Sequence, residues 1–544
     1  MSKILKGTML LTAGTFLSKF LGMIYTVPFE NMVGAEGTDL FSIAYVPYSI
    51  LLSLSSMGVP VAVSKFVSKY NSLGDYETGR RMLKAGLTLM SLTGVLAFFV
   101  LFFSAEQVAA WTIGEESDRL GHATMVIQMV SFALLVIPPM SITRGFFQGH
   151  ESMAPTAVSQ VIEQVVRIVF LLTSVFIIVQ VMQGPKPQAV GFATFAAFIG
   201  GIASCIVLYI YWRKRKPYLD RQLEAQEYTY GLSNKEMFKE LFTYAGPFIL
   251  VGIATPLYQL VDQFTLEKAI KASGAEYHNA FSIINFLSHK LIMIPVTLGL
   301  GLSLALLPAI TQAFTKNEMN RLNHQINQAL QIVALLIIPA VVGLSVVAFE
   351  AYGTFYGVEE INYRGELLRW YAPVGLFLAL YTVTSSILQG INKQNFAVIS
   401  LGTGILIKLS TNWWLIQLFG AKGAIIATGL GVATAVTLNF WRIFTTIEFS
   451  YQQLFKRTLL VLILTMIMAI VVLAVKWVLG FIFDPTEKRL DSLLVLFFSI
   501  GTGGLVYLWL TYQTTLLERV LGGRVRILDK FLKKRVKEES SIED

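Results

Sequence analysis

The sequence predicts an all-α polytopic membrane protein with fourteen transmembrane helices. Two parallel six-helix repeats, an N-lobe and a C-lobe, surround a central cavity, and two extra helices follow at the C-terminus. Three observations carry this expectation. The 544 residues are 54% hydrophobic and only 14% charged, with a mean hydropathy of +0.62; a soluble chain shows roughly 25% charged residues. Apolar runs long enough for a ~20-residue crossing recur from end to end. Matching segments occur in the same order in the two halves.

The spans fall at 7–29, 40–63, 82–104, 122–147, 155–181, 189–212, 241–263, 281–313, 324–349, 365–388, 396–418, 421–446, 457–480 and 491–517. The opening MSKILKG leads into a long apolar run that ends at an acidic loop without an Ala-x-Ala site. It therefore reads as a membrane helix and not a removed signal. The fourth and eighth spans hold Pro138 and Pro139, and Pro295 and Pro308, so bends are expected there. The domain plan is an N-lobe at 1–212, a cytoplasmic linker loop at 213–240, a C-lobe at 241–446, spans 13 and 14 within 447–517, and a basic tail at 518–544.

Orientation follows from the basic residues. With the N-terminus inside, the inner loops gather Lys65 to Lys84, the run Arg213 to Lys216, and Arg519 to Lys537. The outer loops gather acid: Glu30, Glu36, Asp39, Glu115, Glu116, Asp118, Glu359 and Glu360. The expected location is a bacterial cell membrane, multi-pass, with both termini cytoplasmic. The net charge of +9 is then a topology signal, and it draws the inner face to anionic lipid. No nucleic-acid partner is needed, because the basic runs lack interleaved aromatic platforms. The single cysteine, Cys205, excludes a disulfide within the chain.

The repeat shows when VPYSILLSLSSMGVPVAVSKF (46–66) is laid over IPVTLGLGLSLALLPAITQAF (294–314). Pro47 meets Pro295, Pro60 meets Pro308 and Phe66 meets Phe314 without a gap. Laying 147–169 over 388–410 pairs Gln148-Gly149 with Gln389-Gly390, and Arg167 with Lys408. AGTF (13–16) heads one half and AGPF (245–248) the other. Six spans is an even number, so the halves share one orientation, and a substrate path is expected between them near the midplane.

Ionisable residues deep in spans mark that path. In SQVIEQVVRIV (159–169), Gln160, Glu163, Gln164 and Arg167 share one helical face. Lys19 is central in span 1, and Lys408 is central in span 11 with Gly404, Thr411 and Asn412 on its face. His289 and Lys290 lie some ~15 Å into span 8. Asp262 closes span 7 beside Tyr258 and Gln259. Each buried charge costs at least ~2.5–3.5 kcal/mol on insertion scales, so these groups must face water or one another. Glu163 and Arg167 at i, i+4 also fit a plain structural ion pair, Asp262 fits an interfacial position, and Lys476 and Arg369 near span ends fit snorkelling. The expectation is a cationic cavity of Lys19, Arg167, Lys290 and Lys408, with Glu163 holding Arg167 while the site is empty. Gln160, Asp262 and Asp39 complete the candidate set. The ligand of such a cavity is anionic, a phosphate or carboxylate.

TFLSKFLGMIYTVPFENMVGAEGTDLFSIAYVP resembles the opening of MurJ-type proteins of the multidrug/oligosaccharidyl-lipid/polysaccharide flippase superfamily. Ser18-Lys19, Gly22, Gly34-Ala35 and Asp39-x-Phe41 carry the likeness, with GLSLALLPAIT in span 8. Length, spans and basic tail are most similar to the YtgP branch. The resemblance implies a flippase that moves lipid II, the undecaprenyl-diphosphate-linked peptidoglycan precursor, to the outer leaflet. It also implies that Lys19 and Lys290 stand where cavity arginines are usual, and that spans 13 and 14 form a groove for the lipid tail. The chain departs from the family at YSILLSLSS, which lacks a frequent arginine, and at Tyr25. Arg167 and Lys408 are expected to compensate.

The expected mechanism is alternating access by rocking of the lobes, in a monomer, with the cell-wall synthesis machinery as partner. No P-loop is present, and no cofactor is expected. The drive is the membrane potential or a Na⁺ or H⁺ gradient, and Asp262 or Glu163 is the ion ligand if Na⁺ is coupled. A flippase for polysaccharide-repeat lipids shares these features. A multidrug antiporter calls for an acidic cavity, and a membrane-embedded transferase calls for clustered acids or histidines at one face.

Overall fold

The computed structural model describes residues 3–56, 58–226, 233, 236–237 and 252–521, with the side chains of 3–12, 16, 298, 300, 302–305 and 308 left aside. All regular structure among them is helical. Among the described residues, twelve stretches are long and apolar enough to cross a membrane. The first, Ala13–Ser72, covers 60 residues, about 90 Å of helix or three bilayer cores. It therefore holds more than one crossing, and comprises most of α1 (Lys3–Ile24), then α2 (Thr26–Ser56) and α3 (Val59–Ser72). The first half of the seventh expected span, the AGPF segment and the tail from 522 lie outside the described residues.

The loop expected at 30–39 is helical and broken only at Gly34, whose φ of 75° and ψ of −175° suit a residue without Cβ. A second break falls at Gly58, φ 82°, which splits the expected span 40–63. Pro60 follows in the first turn of α3, where its missing N–H leaves no bond unmade. Helices α4 (Tyr76–Phe103), α5 (Ala105–Ile113), α6 (Leu120–Ser131), α7 (Ala133–Gly149) and α8 (Ala154–Phe176) follow. The expected bend in span 4 is the interruption at Phe132 between α6 and α7, ahead of Pro138 and Pro139. Helix α9 (Lys186–Glu224) runs straight through Arg213–Lys216. The linker expected as a loop from 213 is thus helical as far as Glu224.

Helix α10 (Ala254–Ala272) precedes a π turn at Ile283–Ser288 that leads into α11 (His289–Thr315). The bend expected in span 8 is this wide turn, while α11 stays helical through Pro295 and Pro308. The two halves therefore break at different points of matching sequence, the first at Gly58 and the second ahead of Pro295. They share a packing device all the same. Gly149 ends α7 and Gly390 ends α15 (Val374–Gly390). A Cβ on Gly149 would stand 2.7 Å from Val67 Cβ on α3, and one on Gly390 2.5 Å from Ile310 Cγ2 on α11. In each half the Gln-Gly glycine lets a helix end close against its neighbour.

Helices α12 (Met319–Val346), α13 (Ala348–Tyr356), α14 (Ile361–Tyr371), α16 (Gln394–Phe419), α17 (Ala421–Ile447), α18 (Gln452–Leu479), α19 (Arg489–Gln513) and α20 (Leu516–Leu521) follow among the described residues. Two compact units emerge, Met1–Leu287 with Ile405–Ala427, and Ser288–Gly404 with Thr428–Asp544. They cut across the two expected lobes, because α10 and the C-terminal part of α16 join the first unit. In the second unit α18 packs on α12 and α19, and Tyr507 Oη donates to the Leu335 carbonyl at 2.8 Å. An apolar cavity of about 390 Å³ there is lined by Leu330, Ile338, Leu380, Phe440, Tyr451 and Phe455, among others.

Candidate substrate-translocation site

In the first unit α1 docks on α8 through glycines about two turns apart. A Cβ on Gly14 would lie 3.1 Å from Ala157 Cβ, and one on Gly22 3.1 Å from Gln164 Nε2. Between them Thr15 Oγ1 donates to Gln160 Oε1 at 3.1 Å, and Ser18 Oγ to the Gln160 carbonyl at 3.4 Å. Small residues let backbones approach where lipid supplies no hydrophobic drive. Contact numbers rise together along both helices, so α1 and α8 run parallel, as two odd-numbered spans require. Gln160 is committed to this seam. Lys19, one residue past Ser18, is exposed and makes no hydrogen bond or ion pair among the described residues.

Arg167 does not pair with Glu163. Its Nη2 donates to Tyr45 Oη at 3.2 Å, its guanidinium sits 5.6 Å from the Tyr45 ring centre, and its Nε is buried without an acceptor. Glu163 instead accepts from Arg144 Nη2 at 2.7 Å. The same Arg144 donates to Ser204 Oγ at 2.8 Å and from Nε to Ser159 Oγ at 2.9 Å. Gly200 on α9 explains the close fit, since a Cβ there would meet the Glu163 carbonyl at 2.7 Å and Arg167 Cβ at 3.0 Å. Sequence reasoning passed over Arg144 because it lies at the end of span 4. The available signal was Ser159 and Glu163, two polar groups one turn apart that need a partner.

Lys408 is not a free cavity cation. It is 0% exposed, and its Nζ lies 2.7 Å from Asp262 Oδ2 and donates to the Tyr258 carbonyl at 2.7 Å. Asp262, 1% exposed, also accepts from Asn285 Nδ2 and Asn412 Nδ2, each at 3.2 Å. Asn412 further donates to Thr265 Oγ1 at 2.7 Å. Asp262 is therefore not interfacial but the centre of a closed polar network. The π turn contributes to it, because it supplies Asn285, whose carbonyl accepts from Gln259 Nε2 at 2.9 Å.

Asp39 is fully buried and holds Arg119 Nη1 at 3.2 Å. Arg119 also reaches Glu267 at 3.4 Å, and Glu267 holds Lys271 at 2.6 Å. Tyr277 Oη donates to Asp39 Oδ1 at 3.4 Å, and Gln263 Nε2 to the Ile43 carbonyl at 3.1 Å. Residues of both sequence repeats meet in this cluster. Burial works against the Arg119 charge, yet the two carboxylates outweigh it and hold its proton affinity above the ordinary arginine value. Burial first, then Asp39 and Glu267, push the Tyr277 phenol well above its usual range, so it remains a donor.

In the second unit, His289 Nδ1 lies 3.0 Å from Tyr371 Oη and Lys290 is half-buried beside it. Lys476 is not a snorkelling cation, since it pairs with Glu350 at 2.9 Å and donates to the Val346 carbonyl at 2.7 Å. Among the described residues no group of three or more His, Cys, Asp or Glu could hold a metal ion. Buried ion pairs brace the helices, and Arg167 and Lys19 lack a carboxylate partner among the described residues.

The family model described as polysaccharide biosynthesis protein matches residues 4–314, and the MatE model matches 247–414. The chain is 47% identical over 531 residues to the lipid II flippase MurJ of Bacillus subtilis (strain 168), covering 96% of this chain and 98% of that one. A solved structure of lipid II flippase MurJ in an inward closed conformation superposes with a TM-score of 0.67 at 16% identity, covering 94% of this chain and 99% of that one. An inward-facing multidrug resistance MATE transporter gives 0.62 at 16% identity, covering 79% and 93%. The chain belongs to the polysaccharide biosynthesis protein family, in the group that contains the Bacillus subtilis lipid II flippase MurJ.

Proposed function

We propose that the chain is a transporter that carries lipid II from the inner to the outer leaflet of a bacterial cell membrane. The observation that carries this reading is the near full-length identity to a lipid II flippase. The site chemistry supports it. Arg167 keeps an unsatisfied Nε and has no carboxylate of its own, and an arginine fork matches a phosphate's oxygens. Lys19 adds an exposed cation on the neighbouring helix. Both are proposed to grip the diphosphate, and Lys290 is proposed on its own account as a cation of the second unit. The apolar cavity beside α18 suits a polyprenyl chain, in line with a tail-binding role for the helices outside the repeat.

The termini are proposed to be cytoplasmic, from the distribution of Lys and Arg. An inside-negative potential then favours outward movement of anionic charge by ~2.3 kcal/mol per charge per 100 mV. No bond is made or broken, and the chain acts as a monomer. A lipid-linked polysaccharide repeat is the second reading, favoured by the family model's own description. The test is depletion of the host's lipid II flippase and complementation with this chain. Lipid II should leave the inner leaflet and growth should resume. Persistent accumulation with the chain present in the membrane would favour the second reading.

A further inference from the structure

Asp262 is one of the two residues, with Glu163, from which a Na⁺ coupling site was expected, and the arrangement around it does not fit a bound metal ion. Its carboxylate already has a cation at contact distance, the Lys408 ammonium at 2.7 Å. That ammonium also takes the Tyr258 carbonyl, an oxygen of the kind a hard cation would use. Asn412, one turn along α16 from Lys408, and Thr265 bring further oxygens, and Asn412 Oδ1 is buried without a donor. The cluster thus has the oxygen donors of a monovalent-cation site, with a side-chain ammonium in the place of the ion. A lysine ammonium is a compact point charge on a flexible stem, able to stand in for one. Adding Na⁺ would leave one net positive charge sealed in a region of low dielectric.

We propose that Lys408 is a tethered counter-cation that permanently occupies the oxygen site around Asp262, so that transport by this chain does not use Na⁺ at that site. The inference deepens the transport reading and depends on it only for its flux measurement. The full chain is reconstituted in vesicles with fluorescently labelled lipid II, a fixed K⁺ diffusion potential, and either Na⁺ or choline. Its unfolding midpoint is followed separately in detergent as Na⁺ replaces choline. Wild type should flip at equal rates in both salts, and its midpoint should not respond to Na⁺. Lys408→Ala should lose flipping in choline, regain part of it with Na⁺, and show a midpoint that rises with Na⁺. If Lys408→Ala does not reach the membrane, Lys408→Gln takes its place. A wild type that flips only with Na⁺, or whose midpoint rises with Na⁺, overturns the inference and leaves the transport reading standing. Absence of flipping in either salt removes the transport reading, and the midpoint still decides the cation question.

Discussion

Arg167 and Lys408 occupy matching positions in the two halves of the sequence, and the fold treats them in opposite ways. Lys408 is sealed, with a carboxylate on its ammonium and a backbone carbonyl beside it. Arg167 is half-buried among tyrosine and aliphatic groups, with a single hydrogen bond to Tyr45 and no carboxylate. In the register that matches AGTF to AGPF, Asp262 falls on Glu30, while the hydrogen bond of Arg167 goes to Tyr45 Oη. Matching sequence positions thus both hold a cation, in different surroundings. One copy is paired within the scaffold, and the other is the one proposed to meet an anion.

The largest expected effect tests the bracing copy. Asp262→Ala strands the Lys408 ammonium and should cost about 3–5 kcal/mol of stability, read by denaturant unfolding in detergent. Adding Lys408→Ala should recover part of that loss, and strict additivity would separate the pair. Next comes the available copy. Arg167→Ala should slow flipping roughly ten- to a hundredfold, the equivalent of about 1.5–3 kcal/mol for bonds to a charged group, with little change in the unfolding curve. If stability falls as far as it does for Asp262→Ala, the contrast between the copies is lost. Lys19→Ala should slow flipping by about threefold to tenfold, and added salt should shrink the difference because the group is exposed. At the small end, Glu318→Gln removes an exposed pair with Arg321, 3.0 Å apart. It should change stability by about 0.5 kcal/mol or less, which shows that pairing counts only where water is excluded.

Most of the fold was legible because a bilayer demands long apolar helices, and such helices announce themselves in one dimension. The breaks were less so. Phe132 and the π turn at Ile283–Ser288 lie more than one turn ahead of the prolines expected to mark them, so the prolines themselves sit within continuous helix. The site was legible by residue type and not by partner. Lys408 and Asp262 were both noticed, yet nothing in the local pattern joins positions so far apart on two helices. Arg167 and Glu163 were joined because they stand at i, i+4, and the fold gave Glu163 to Arg144 instead. Periodicity reports which residues share a face; it does not report which neighbour that face meets.

Helix α9 is 39 residues long, about 58 Å at helical rise, roughly twice what a bilayer core spans. Its basic run is therefore carried beyond the lipid on a rod, with Pro217 the one residue inside it that interrupts the hydrogen-bond ladder. Four consecutive basic residues look like an open trypsin target in the primary structure. Held in a continuous helix they cannot adopt the extended backbone a protease needs, so digestion of intact vesicles should spare them until that rod unwinds.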